Sequence, residues 1–221
     1  MNREIPITNS RMTTPRAAAI AGILFSVLLI TSLVLVRISV PANPQDAGKW
    51  LSGNWRTVNL ALNLVPFAGI AFLWFIGVVR DRLGTNEDRL FATVFLGSGF
   101  LFLATLFASA AVAGGVISIY GSTPNILIES GIYTFGRTIT YEIMNVYAMK
   151  MAGVFMITTC TLALRTGIFP RWMAYLGMVL ALILLLSVST LYWAPLLFPL
   201  WVLLISVYIL VANFNKSKTE E

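Results

Sequence analysis

Thr138 to Leu164 reads TITYEIMNVYAMKMAGVFMITTCTLAL, and this stretch decides how the chain is understood. It exceeds the ~20 residues a helix needs to cross a ~30 Å hydrocarbon core. It also carries two opposite charges, Glu142 and Lys150. An ionisable group at bilayer depth costs roughly 2.5–3.5 kcal/mol on insertion scales. Each charge therefore needs a partner, a wet cavity or a function.

The rest of the chain has the same character. Of its 221 residues 58% are apolar and 11% charged, against the roughly one-quarter charged of an ordinary soluble domain. The charges gather in short clusters between apolar runs at 17–40, 57–79, 90–113 (extending by composition toward Tyr120), 138–164, 172–192 and 195–214. Each run is near or above spanning length. None alternates with period two, so strands are excluded. The expectation is an all-α polytopic membrane protein, a six-transmembrane-helix bundle. Residues 1–16 form an N-terminal segment, 17–214 one transmembrane domain and 215–221 a C-terminal tail, with the last two helices forming a tight antiparallel hairpin.

Loop charge orients the bundle. With the N-terminus cytoplasmic, ten basic residues lie inside and four (Arg37, Lys49, Arg56, Arg137) outside, a positive-inside bias. Both termini are then cytoplasmic. Trp50, Trp55 and Trp193 fall at the outer interface and Trp74 and Trp172 near the inner one, as aromatic belts require. The first run is longer than the core of a cleaved signal peptide, so it is expected to remain as a helix. The basic residues orient the protein and do not mark a nucleic-acid partner.

Local punctuation agrees. Arg80, Arg82 and Gly84 close the second helix, and Arg165-Thr166-Gly167 closes the fourth, since cations and glycine suit helix C-termini. Pro170 can begin the fifth helix. The segment 122–136 is too apolar for a free loop and suggests a short interfacial helix.

Absent chemistry narrows function. The chain has no histidine, which removes His-ligated metals, haem and His general bases. Its one cysteine, Cys160, sits inside an apolar run as a small packed residue. No phosphate-binding loop, dinucleotide fingerprint, zinc-protease motif or nucleophile elbow occurs. No cofactor or metal is indicated, and the pattern points away from catalysis.

Two constellations remain. On helix three, Ala104/Ala108, Ser109/Ala113, Ala110/Gly114 and Ala111/Gly115 repeat small residues four apart, the pattern of tight helix packing. This suits either the centre of the monomer or a face for a second copy or a larger membrane complex. The other constellation is polar. Asn59 and Asn63 lie one turn apart on helix two, and Glu142 and Asn145 lie three apart on helix four at similar depth. At about 100° per residue Glu142 and Lys150 are offset by about 80°. The expected site is a pocket of Glu142, Lys150, Asn145, Asn59 and Asn63, open to the outside and floored by Lys150. Tyr141, Tyr147, Arg37, Arg56 and Arg137 are its candidate neighbours. Pro66 leaves the Leu62 carbonyl without an amide donor close by.

The segment Arg165-Thr166-Gly167-Ile168-Phe169-Pro170-Arg171-Trp172-Met173-Ala174-Tyr175-Leu176-Gly177, with the leucine-rich span after it, resembles uncharacterised bacterial multi-pass membrane proteins of domain-of-unknown-function type. The resemblance covers about the last quarter of the chain. It implies a bacterial plasma-membrane location and carries over no site residues. Three roles fit the sequence: a non-enzymatic structural, accessory or lipid-binding protein with membrane lipids as partners; a small solute or ion transporter using the Glu/Lys/Asn pocket; and a membrane enzyme acting on a lipid-like substrate.

Overall fold

The computed structural model describes residues 14–41, 48–83, 89–124, 127, 130–186 and 193–219. Among them every regular element is helical: α1 (Thr14–Ser39), α2 (Leu51–Leu83), α3 (Arg89–Ser122), α4 (Ile132–Glu142), a π-helical turn (Ile143–Ala148), α5 (Met149–Thr166), α6 (Arg171–Leu186), a 3₁₀ turn (Ala194–Leu196) and α7 (Leu197–Thr219). α4, the π turn and α5 form one continuous rod.

Five of these helices are long and apolar enough to cross a membrane: Ala17–Ser39, Leu51–Arg80, Phe91–Ser122, Ile132–Thr166 and Ala194–Ala212. The chain is thus built as a multi-pass membrane protein. α6 is apolar but has only 16 described residues, and positions 187–192 of the expected fifth span lie outside the described residues. The observed count is therefore five against the six expected. Three helices also run further than the apolar runs suggest. α2 begins at Leu51, α3 reaches Ser122 and the fourth rod begins at Ile132. Hydropathy marks the part that lipid surrounds, whereas the backbone stays helical beyond it.

At least one ring from each spanning helix builds the centre, and α2 and α3 each add a second, Phe75 against Phe72 and Phe95 against Phe155. Phe25 on α1, Phe72 on α2, Phe102 on α3, Phe155 on α5 and Phe198 on α7 are all fully buried. Phe72 is the hub, with its ring centre 4.6 Å from Phe25, 5.4 Å from Phe102, 5.2 Å from Phe155 and 5.6 Å from Phe198. Most of these contacts are tilted or edge-on, the arrangement aromatic quadrupoles favour. In lipid, helices gain little from hydrophobic transfer and associate through close packing. This cluster of rings supplies that packing.

α6 stands outside the cluster. It packs mainly on α5, so closely that a Cβ on Gly153 would lie 3.1 Å from the Ala181 carbonyl oxygen. The expected tight hairpin of the last two helices is replaced by a different pairing. α7 packs along α1 and meets α6 far less, with Trp201 lying against Gly177. The stop at Gly167 is as expected: its φ is +69° and its N–H donates to the Ala163 carbonyl at 2.8 Å, a left-handed cap open to glycine at little cost.

The small residues of α3 divide between two faces. Ser109 is buried, and its hydroxyl donates to the Thr140 carbonyl at 3.0 Å. Ala110, Ala113 and Gly114 are half-buried, whereas Ala104, Ala108, Ala111 and Gly115 are exposed. The closest approach of α3 and α4 comes from the other partner, because a Cβ on Gly136 would collide with Val116.

Candidate functional site

The five expected pocket residues do not come together. Asn59, Asn63 and Glu142 are exposed, Lys150 and Asn145 are half-buried, and only Asn145 lines the cavity described below. The buried face of α2 runs through Val58, Ala61, Val65, Ala68 and Phe72, which turns Asn59 and Asn63 away. On α4 the packed face carries Tyr133 and Gly136. Glu142 joins Thr134 and Thr138, spaced four apart, on an exposed stripe. Depth changes as well as direction. Thr166 ends α5, and Glu142, 24 residues earlier, stands ~36 Å along the axis at helical rise. That is beyond a ~30 Å core, so Glu142 need not meet hydrocarbon. Glu142 and Lys150 therefore do not look into one interior pocket as expected, for a physical reason. A π turn with its wider i→i+5 bonding lies between the two residues, and the angular count of a regular helix does not carry through it.

A different site occupies the Trp50 end of the bundle. α1, α2, α3 and α4 enclose a cavity of about 140 Å³. Leu29, Val65, Leu106 and Met144 form its deep end, and Leu33, Val36, Leu62, Ala110 and Ala113 line its walls. Toward the helix ends the lining turns polar, with Arg37, Trp50, Tyr133, Arg137, Tyr141 and Asn145. Ser32 also lines it, and its hydroxyl donates to the Ala61 carbonyl at 2.7 Å. This is one residue before the carbonyl that Pro66 deprives of an amide, so α1 binds α2 where the proline loosens its ladder.

The polar end is one connected network. Arg37 donates from Nη1 to Tyr141 Oη at 3.1 Å and from Nη2 to Asn145 Oδ1 at 3.3 Å. Arg137 donates from Nη1 to Tyr133 Oη at 3.2 Å and from Nη2 to the Pro41 carbonyl at 2.6 Å. Trp50 Nε1 donates to the same Tyr133 oxygen at 2.8 Å. Both guanidiniums flank one ring, with Arg37 Cζ 5.5 Å and Arg137 Cζ 5.8 Å from the centre of Tyr141, within cation–π range. Asn145 Nδ2 donates to the Tyr141 carbonyl at 2.9 Å, beside the π turn. These bonds fix the direction of both cations before any ligand arrives.

Sequence position alone put Arg37, Arg137 and Tyr141 at one depth, and the structure joins them. Tyr147 is exposed, and Arg56 leans on Trp55 at 5.5 Å, so neither enters the site. What the sequence did not signal is the apolar space beneath the arginines. That space depends on which faces of four helices meet, and on Ala and Ser standing where larger side chains would fill it. Among the described lining residues there is no carboxylate, thiol or lysine, and no cluster of metal-ligating side chains occurs among the described residues. The arrangement suits holding a molecule with an apolar body and a polar end. Comparison with protein-family models, curated proteins and solved structures found no match to this chain.

Proposed function

We propose that this chain is a lipid-binding integral membrane protein of the bacterial plasma membrane. It crosses six times with both termini cytoplasmic, which places the Trp50 end of the bundle at the outer surface. The reading is carried by one observation: an apolar cavity of about 140 Å³ ends in a rim of Arg37, Arg137, Tyr133, Tyr141 and Trp50. An engineered cavity of about 150 Å³ with an apolar lining holds benzene. This one therefore admits a segment of alkyl chain. Tyr, Trp and Arg are the side chains that settle at head-group height, so the rim matches the level at which a lipid's polar part would sit. The loop charge bias supports the orientation, and the apolar 16-residue α6 supports a sixth crossing.

Native mass spectrometry of the chain released from mild detergent tests the reading. The wild-type chain should retain a lipid adduct. Ala113→Phe, which fills the cavity, should lose most of it while its melting temperature stays within a few degrees. A wild-type chain that carries no adduct under conditions preserving its fold would end the proposal. So would an adduct that survives the filled cavity.

A further inference from the structure

We propose that the cleft selects an anionic phospholipid from the surrounding bilayer and that Arg137 is the side chain that reads its head group. This inference rests on the lipid-binding reading above and adds the charge of the ligand to it. Arg137 stands at the mouth of the cavity, half-buried. Among the described residues its acceptors are the Tyr133 hydroxyl and the Pro41 carbonyl, both neutral. They aim the guanidinium and leave its charge in place. A guanidinium has five N–H donors, and two are engaged by these bonds, so a fork remains for a phosphate oxygen pair.

The surroundings raise the case. Arg37 lies near the same Tyr141 ring and holds it through the Tyr141 hydroxyl, so the ring beside Arg137 is fixed in place. Partial burial weakens solvent screening there. The described lining contributes no negative charge that would repel an acidic head group. A neutral amphiphile would fill the apolar space equally well and gain nothing from the Arg137 charge. An inorganic anion would meet the cations and leave the apolar space empty. A lipid carrying a net negative phosphodiester uses both halves of the cleft.

The experiment is a competition on the purified full-length chain in neutral detergent. Phosphatidylglycerol and phosphatidylethanolamine with identical acyl chains are offered together, and bound lipid is counted by native mass spectrometry. The wild-type chain should prefer phosphatidylglycerol by about fivefold or more, the effect of roughly one arginine beside an anionic lipid. Arg137→Gln should bring the ratio close to one, and Arg137→Lys should keep part of it. Raising salt from ~0.1 M to ~1 M, which shortens screening from ~10 Å to ~3 Å, should erode the wild-type preference. That arm decides the matter if Arg137→Gln does not fold. Equal binding of the two lipids by the wild-type chain, or a preference untouched by Arg137→Gln and by salt, overturns the inference while leaving the lipid cleft standing. Binding of neither lipid overturns the cleft itself. Thermal stabilisation by inorganic phosphate as large as that by phosphatidylglycerol overturns the assignment to a lipid.

Discussion

The aromatic centre and the cleft are made by overlapping sets of helices and packed to opposite standards. At the centre α1, α2, α3, α5 and α7 each send in at least one phenylalanine, and all of these rings are fully buried. In the cleft α1, α2 and α3 reappear with α4, and no described residue of α6 or α7 takes part in the lining. The role of Phe198 has no counterpart there, and Ser32, Ser109, Ala110 and Ala113 stand at positions where bulk would close the gap. Close packing is the rule for protein interiors. A bundle that achieves it with a cluster of rings and then leaves space a few turns away has separated stability from accommodation.

The sharpest way to break this contrast is at the hub. Phe72→Ala should cost about 3 kcal/mol, the low end for a buried phenylalanine, because in lipid the loss is mostly of packing contacts. Unfolding in detergent reads the loss, and lipid retention by the folded fraction should be unchanged. A cost below ~1 kcal/mol would mean the rings are not a unit.

A smaller effect is expected where α3 meets α4 beside the cleft. Gly136→Leu drives a side chain into Val116 and should destabilise by about 1–3 kcal/mol. Ala108→Leu, on an exposed face of α3, should stay within ~0.5 kcal/mol. Thermal melts of both variants compare them. A large loss in Ala108→Leu would show that this face meets a protein partner.

The least change is expected from the two charges that first drew attention to the fourth rod. Because Glu142 is exposed and Lys150 lies beyond the π turn, Glu142→Gln and Lys150→Met should be additive within ~0.5 kcal/mol in a double-mutant cycle. Coupling above that would restore the shared pocket that the sequence suggested.

The spanning helices were legible because lipid demands long apolar runs, and five of them hold as drawn or longer. Their ends were less legible. The turns at 51–56, 114–122 and 132–137 are mixed in polarity, so hydropathy passes over helix that stands clear of the hydrocarbon. The site was legible in part. Depth counting brought Arg37, Arg137, Tyr141 and Asn145 to one level, since depth depends only on rise per residue. It failed for Glu142, Asn59 and Asn63 because facing depends on phase. On α2 the phase is fixed by which side meets α1, and on the fourth rod it is reset between Glu142 and Met149. The small residues of α3 carried the same ambiguity. Ser109 and Ala113 turn inward and Ala104 and Ala108 outward, yet both pairs read alike.

The π turn at Ile143–Ala148 divides the rod into two parts that can be tuned separately. A widened turn holds one residue more than the regular helix would. Removing a single residue there would swing α4 by roughly 100° relative to α5. Phe155 would keep its seat among the rings, while Arg137 and Tyr141 would swing away from the cavity. A one-residue deletion or insertion in this short window would therefore act on the cleft and on the α3–α4 contact beside it, where Ser109 meets the Thr140 carbonyl, while the ring seats of α5 stay in register.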